Sequence, residues 1–257
     1  MALRYQSLSS LEAHILLYRR AVLLFSGGLD SSLVLAAAAR VLGPGLTAIT
    51  FTGPHSVPGE LAAAWGLARR LGVRQVVQAF DPLNIPEFRY NRRARCYVCK
   101  KAIIARAREM ATALGAEVLW DGTNVDDLAE FRPGMRALKE EGVESPLVAA
   151  GLGKTAIRAL SRDLGLDADR PSQSCLATRF PYDTELTITD LAKVGQAEAW
   201  LRRRGFSQVR LRVKGDKARL VLAPEEWPAF LVPEVRRRFT ALILSLGFKE
   251  LFLDAPE

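Results

Sequence analysis

The chain has 257 residues, of which 49% are hydrophobic, and this is enough for one large domain or for a medium domain joined to a small one. Its formal net charge of +8 suits ATP, a phosphorylated small molecule or nucleic acid as a partner. No apolar run approaches the roughly 18 residues that a membrane span needs, and residues 1–20 lack a secretory pattern. We therefore expect a globular protein of the cytoplasm.

The first 25 residues predict a helix followed by a strand. Residues 1–20 are typical of an amphipathic helix with Ser9 or Ser10 as its N-cap ahead of Glu12. Residues 21–25, Ala-Val-Leu-Leu-Phe, form a short apolar run that indicates a buried strand.

Residues 26–32, Ser-Gly-Gly-Leu-Asp-Ser-Ser, join that strand to a predicted helix, and we call them the phosphate loop. Ser31 and Ser32 open this helix, which ends near Gly43. Backbone N–H groups converge at such a helix N-terminus, and the helix dipole favours an anion there. Asp30 would repel a phosphate group directly, so we assign it to a bridging Mg²⁺. The residues of this loop predicted to bind ATP are Ser26, Gly27, Gly28, Asp30, Ser31 and Ser32.

The SGGLDSS string resembles the signature of the PP-loop ATP pyrophosphatases, which split ATP between its α- and β-phosphates to adenylate a substrate. A glycine turn between a strand and a helix is common in α/β proteins, so the bare SGG would carry little information. The GK[ST] ending of a Walker loop is absent. The placement after a strand and before a helix favours the PP-loop interpretation.

Strand and helix patterns then alternate. Strands are predicted at residues 46–51, 73–79 and 117–120, and helices at residues 60–71, 99–114 and 154–164. This order predicts a parallel α/β sheet with helices on both faces and ligand sites at the carboxyl ends of its strands. The backbone around Phe51 lies at one such end, where we expect the adenine ring.

The segment after the strand at residues 117–120 faces the same edge. Gly122 and Thr123 are therefore predicted to bind ATP. Asp126 and Asp127 follow, and two interpretations stay open: they help to bind Mg²⁺, with Asp126 as the ligand, or they cap a helix.

Three cysteines, Cys96, Cys99 and Cys175, are an odd number, and a structural disulfide set is not expected. Three interpretations compete. They hold a [4Fe–4S] cluster with one open iron, they hold zinc, or they are unrelated buried thiols, with Cys96 and Cys99 fortuitous or redox-active.

The C-terminal part has a different pattern, and we expect domains at residues 1–170 and 171–257. A helix at 187–204, strands at 208–213 and 217–222, a helix at 233–246 and a strand at 250–253 predict a small α+β unit.

The motifs SGGLDSS, RCYVCKK, DGTNVDD–FRPG–SPL and SCLATRFPY come in an order that resembles the LarE family. Those proteins are PP-loop sulfur transferases that help to build the nickel-pincer nucleotide cofactor. The resemblance runs from about Ser26 to Leu222, most of the chain. It implies that the chain adenylates a carboxylate of pyridinium-3,5-biscarboxylic acid mononucleotide with ATP and Mg²⁺ and replaces an oxygen with sulfur. It also implies a homo-oligomer.

By this resemblance Cys175 falls on the family's sulfur-handling cysteine. Some members give up the sulfur of this residue and turn over once, but they lack the other two cysteines. This chain has Cys96 and Cys99, as do members in which three cysteines hold a [4Fe–4S] cluster, so we expect that cluster here. Arg179 is a catalytic candidate, with a surface ion pair as the alternative.

Arg210 and Arg212 lie on one face of a predicted strand. The resemblance assigns them to the substrate phosphate, and a plain exposed strand face is the alternative. Glu198 is a further metal candidate. Three other functions remain open: a tRNA thiolase, a ligating PP-loop enzyme with a structural metal, and a sensing protein without activity.

Overall fold

The computed structural model describes residues 7–129, 133–171 and 173–254. Phe131 and Arg132 of the FRPG motif and Ser172, next to the predicted domain boundary, lie outside the described residues. None of the helices in the described ranges is both long enough and apolar enough to cross a membrane.

The elements follow one another in the described chain as α1 (Leu8–Ile15), β1 (Ala21–Leu24), α2 (Leu29–Leu42), β2 (Leu46–Thr52), α3 (Glu60–Arg70), β3 (Arg74–Ala79), α4 (Pro86–Arg89), α5 (Arg95–Ala113), β4 (Val118–Trp120), α6 (Pro133–Glu140), α7 (Pro146–Ala149), α8 (Lys154–Asp163), α9 (Ile188–Arg202), β5 (Arg210–Lys214), β6 (Lys217–Val221), α10 (Trp227–Phe230), α11 (Pro233–Ser245) and β7 (Glu250–Leu253).

The chain folds into two compact units. The first consists of Met1–Gly53, Glu60–Phe80 and Ala94–Ser172. The second consists of Pro54–Gly59, Asp81–Arg93 and Gln173–Glu257, so two of its segments come from within the N-terminal part of the chain. The predicted division at residues 170/171 stays a prediction.

The first unit contains a four-stranded parallel sheet in the order β3-β2-β1-β4. Successive side chains of a strand point to opposite faces. Leu23 of β1 accordingly packs with α1, α2 and α8, whereas Val22 packs with α5 and α6. The predicted parallel α/β sheet with helices on both faces is confirmed.

The second unit contains a three-stranded sheet in the order β5-β6-β7. β5 and β6 form an antiparallel hairpin through Gly215, whose φ of +59° suits glycine, and β7 is parallel to β6. Leu211 and Val213 point into a core with α9 and α11, while the alternate residues of β5 are exposed. Val57 joins this core from its own distant segment.

Three element boundaries were wrongly predicted. The N-cap of α1 is Ser7, whose side chain accepts from the backbone N–H of Ser10 at 3.2 Å, so neither Ser9 nor Ser10 caps the helix. α2 begins at Leu29 rather than at Ser31, because Gly28 in an extended conformation already serves as its N-cap. α5 begins at Arg95, four residues earlier than predicted, and thereby includes Cys96.

Candidate active site

The phosphate loop joins β1 to α2 in the first unit and is organised by its serines. The hydroxyl of Ser26 lies 3.1 Å from that of Ser31 and accepts from the Gly28 N–H at 3.3 Å. The Ser31 hydroxyl donates to the Gly28 carbonyl at 3.1 Å. Gly27 has a φ of +76°, and a Cβ there would lie 2.9 Å from the Cβ of Ala64, so both backbone and space require glycine.

α2 directs its positive end at this loop. The first N–H groups of a helix have no intrahelical acceptor, and in α2 the series of internal bonds begins with Ser32 N–H to the Gly28 carbonyl at 2.9 Å. The N–H groups of residues 29–31 are therefore oriented for an anion. This geometry can seat a phosphate group, and ATP binding by these residues stays a prediction.

Gly122 lies directly against the phosphate loop. A Cβ on Gly122 would come within 2.7 Å of the Ser31 backbone nitrogen and 2.9 Å of its Cα. The buried carboxylate of Asp121 holds this turn, because it accepts from the Thr123 hydroxyl at 2.5 Å and from the Ser145 hydroxyl at 2.6 Å. The segment after β4 thus forms one wall of the site through its backbone.

Asp30 forms an ion pair with Lys154, the first residue of α8. The Oδ1 atom of Asp30 is buried and has no hydrogen-bond partner among the described residues. A buried carboxylate oxygen without a donor is a suitable ligand for Mg²⁺. Sequence reasoning does not identify Lys154, because it lies 124 residues from Asp30. Its one sequence signal is its position at a predicted helix N-terminus, where a cation is unfavourable.

The two neighbouring aspartates have distinct partners. Asp126 Oδ2 accepts at 2.6 Å from the backbone N–H of Lys154, the first residue of α8, whose N-cap is Gly153. Asp127 Oδ2 accepts from the side chain of Asn124 at 2.8 Å and from its backbone N–H at 3.1 Å. Asp126 thus satisfies an N–H at the start of α8 without being its N-cap residue, and its binding of Mg²⁺ stays a prediction.

Phe51 lies at the carboxyl end of β2, as expected for the adenine side. Its ring packs edge-on against Phe80, with ring centroids 6.1 Å apart, and joins the core on the α5 face. The neighbouring Thr50 donates its hydroxyl to the Phe25 carbonyl at 2.7 Å. The Phe51 side chain therefore belongs to the core, and only its backbone is left to contact an adenine ring. Adenine binding there stays a prediction.

The cysteines are divided between the units. Cys96 and Cys99 lie near the start of α5 in the first unit. They are three positions apart and hence on one helix face, with Cys96 exposed and Cys99 buried. Cys175 lies in the second unit and is half-buried. No disulfide joins them, and within the described residues no three His, Cys, Asp or Glu side chains form a ready metal site.

Cys175 begins a short turn that the side chain of Arg179 stabilises through hydrogen bonds. The Cys175 carbonyl accepts from the Thr178 N–H at 3.0 Å and from its hydroxyl at 2.8 Å. Arg179 is buried and donates to the Ser174 carbonyl at 3.0 Å and to its hydroxyl at 2.6 Å. A surface ion pair, the alternative interpretation of Arg179, is therefore wrong.

Glu198 on α9 is the counter-ion of Arg179. Its two oxygens accept from Arg179 Nε at 2.8 Å and from another guanidinium nitrogen at 3.1 Å. It also accepts from Arg202 at 2.7 Å and from the Leu211 N–H at 2.9 Å. These four bonds occupy a carboxylate that the sequence suggested as a metal ligand, and they tie the Cys175 turn to α9 and β5.

Arg210 and Arg212 stand side by side on the exposed face of β5. Burial lowers the pKa of the Arg210 guanidinium, and the positive charges of Arg179 and Arg212 lower it further, whereas Glu198 opposes them. Mutual repulsion of this kind is relieved by a bound anion. The face can hold a phosphate group.

The asparagine synthase family model matches residues 10–115, which contain the phosphate loop. The chain is 39% identical over 237 residues to an uncharacterized protein of Synechocystis sp., covering 91% of this chain and 88% of that protein.

Two further relatives are covered as fully. The chain is 36% identical over 238 residues to the pyridinium-3,5-bisthiocarboxylic acid mononucleotide synthase of Lactiplantibacillus plantarum, covering 92% of this chain and 86% of that protein. It is 31% identical over 244 residues to an uncharacterized protein of Methanocaldococcus jannaschii, covering 92% and 89%.

Proposed function

The chain belongs to the LarE family of PP-loop proteins and is an ATP-dependent sulfurtransferase, and on this premise we propose that it converts pyridinium-3,5-biscarboxylic acid mononucleotide to a thiocarboxylate. A substrate carboxylate oxygen attacks the α-phosphorus of ATP, and pyrophosphate leaves. Sulfur then attacks the acyl carbon of the adenylate, and AMP leaves. The observation that carries the proposal is the phosphate loop at the N-terminus of α2, closed on one side by the backbone of Gly122.

In the first step the residues of the loop stabilise the departing pyrophosphate. The N–H groups of residues 29–31 and the hydroxyls of Ser26 and Ser32 donate to its oxygens, while the Ser31 hydroxyl donates to the Gly28 carbonyl and holds the loop. The negative charge that develops therefore meets fixed dipoles. Asp30 would hold Mg²⁺ through the buried Oδ1 that lacks a donor among the described residues, and Asp126 would assist. The metal supplies charge neutralisation when bound.

The substrate phosphate is assigned to Arg210 and Arg212. The pair offers planar guanidinium donors that match phosphate oxygens, and its mutual repulsion favours an anion. Arg179 is proposed as the residue that fixes the backbone of the Cys175 turn, because its donors already go to Ser174 and Glu198. In this arrangement Cys175 has a defined position relative to β5.

For the sulfur we propose that Cys96, Cys99 and Cys175 hold a [4Fe–4S] cluster. The residues fit the group in chemistry: two thiols lie on one helix turn, as a C-x-x-C pair does in cluster proteins, and a third comes from Cys175. With three cysteine ligands one iron would remain open, and the cluster would supply there a site for the sulfide that is transferred.

The test is anaerobic purification followed by iron and sulfide analysis, and by measurement of the protein mass after turnover. We expect about four iron atoms per chain, with most of the iron lost in each of Cys96→Ser, Cys99→Ser and Cys175→Ser. The chain has three cysteines in all, so no other thiol replaces them.

The sacrificial alternative gives a different set of results. In that case the mass falls by one sulfur and two hydrogens at Cys175, iron is absent, and Cys96→Ser and Cys99→Ser keep wild-type turnover. That outcome would overturn the cluster. Cytoplasmic location and a homo-oligomer stay predictions.

A further inference from the structure

The peptide between Gly27 and Gly28 decides what the phosphate loop presents to an anion. Two adjacent glycines have the widest choice of backbone conformation of any dipeptide. In a trans peptide the carbonyl and the following N–H point in opposite directions. If this peptide rotated, a carbonyl oxygen would face the phosphate instead of an N–H, and the two would repel each other.

Arg170 fixes the orientation of this peptide from outside the loop. Its guanidinium donates to the Gly27 carbonyl at 3.1 Å. On the opposite side of the same peptide the Gly28 N–H points to Ser26 Oγ at 3.3 Å, among the hydroxyls of the phosphate loop. The bond from Arg170 therefore holds the carbonyl away from the side on which the anion binds.

Glu60 in turn fixes Arg170. The second terminal nitrogen of the Arg170 guanidinium donates to Glu60 Oε1 at 2.7 Å, and both side chains are largely shielded, with 24% and 22% of their surface exposed. Arg170 also lines a cavity of about 350 Å³ together with Gly27 and Ser32. The contact thus lies beside the loop and not in a remote part of the core.

We propose that Arg170 is a positioning residue for pyrophosphate: it orients the Gly27–Gly28 peptide, and Glu60 orients Arg170. The inference depends on ATP use by the phosphate loop and not on the sulfur acceptor. A protein that binds pyrophosphate but fails to transfer sulfur would refute the proposed function and leave this inference standing.

The experiment measures binding of magnesium pyrophosphate, MgATP and AMP to the full-length protein by calorimetry. Arg170→Met keeps the aliphatic stem and removes the donors, and we expect about tenfold weaker binding of pyrophosphate and MgATP, the loss typical of one hydrogen bond to a charged group. AMP lacks the groups that the loop holds, so its affinity should change less than twofold. Arg170→Lys retains one donor for Gly27 and should recover part of the loss.

Arg162→Met is the matched control. Arg162 carries the same charge, pairs with Asp169 at 2.9 Å and is exposed, so its loss changes the net charge equally without touching the loop. Pyrophosphate binding of Arg162→Met should stay within twofold of wild type. If Arg170→Met does not fold, Glu60→Gln provides the second variant and should weaken pyrophosphate binding two- to threefold.

Two results would overturn the inference. One is wild-type pyrophosphate affinity in a folded Arg170→Met protein. The other is an equal loss of AMP and pyrophosphate binding, which would assign Arg170 to the general stability of the fold.

Discussion

Gly122 is a residue at which the phosphate-loop region of the first unit allows little change. Its backbone packs so closely on Ser31 that a methyl group would collide with the main chain of α2 and not with a movable side chain. Close contact between two backbones is a common reason for glycine beside a ligand. Gly122 therefore helps to set the position of the first turn of α2.

We expect Gly122→Ala to weaken magnesium pyrophosphate binding at least tenfold and to destabilise the protein by about 1–3 kcal/mol, as overpacking does. Calorimetric titration and urea unfolding check the two effects. Gly66→Ala in α3 is the control, because a Cβ there meets no atom within 4 Å. It should raise stability by about 0.5–1 kcal/mol and leave binding unchanged. Equal pyrophosphate affinity in both variants would contradict the prediction.

Residues of the local motif could be predicted from the sequence, whereas their distant partners could not. Ser26 and Gly28 lie in one strand–turn–helix segment, whose geometry follows from spacing. Lys154 and Arg170 reach the same loop from 124 and 143 residues away. Nothing in the spacing of a single sequence reports such contacts. Lys154 is marked only by its place at a helix N-terminus, and nothing distinguishes Arg170 from the other basic residues.

Among the elements, α9 and β5 are joined through one buried carboxylate. Glu198 receives both guanidinium groups of Arg179 and Arg202 and the backbone N–H of Leu211. Removal of one partner from such a group leaves charge buried without compensation.

We expect Glu198→Gln to lower the free energy of unfolding by about 3–5 kcal/mol, because a neutral amide leaves two arginines without a counter-ion. Urea unfolding measures this loss. Arg238→Ala on α11 is the control: Arg238 forms an exposed pair with Glu234, and its removal should not change stability measurably. A loss in Glu198→Gln as small as that of the control would refute the prediction.

Secondary-structure elements could be predicted where buried and exposed residues alternate regularly along the sequence. β5 alternates between buried and exposed residues as the sequence indicates, and Arg210 and Arg212 are on its exposed face. The start of α5 was missed because Arg95 and Cys96 follow an arginine-rich stretch that carries no capping residue; Ala94 precedes the helix without a side-chain cap.

At the scale of the whole molecule, the chain passes between the two units five times, as their segments require. Val57 and Phe88, both buried, belong to the second unit although they precede residue 170. Dividing the sequence into consecutive domains does not reveal such segments. The parallel sheet, by contrast, follows from the alternation of strands and helices.

A protein cut after residue 170 should therefore be defective. We expect it to expose the side chains of Val57 and Phe88, to bind the dye ANS and to aggregate, while the full chain remains monodisperse or forms a defined oligomer. Dye fluorescence and light scattering make the comparison. Cooperative unfolding of a dye-free fragment of residues 1–170 would show that the first unit folds independently of these segments.

In the protein without ligand, Lys154 neutralises the carboxylate of Asp30 beside the phosphate loop. In the function proposed above, a magnesium nucleotide would exchange this one ion pair for two, metal with carboxylate and phosphate with ammonium. A free metal ion would leave the ammonium without a partner, and a free phosphate would leave the carboxylate without one. If Asp30 binds Mg²⁺ as proposed, we expect the loop to bind the metal and the phosphate together more tightly than it binds either ion alone.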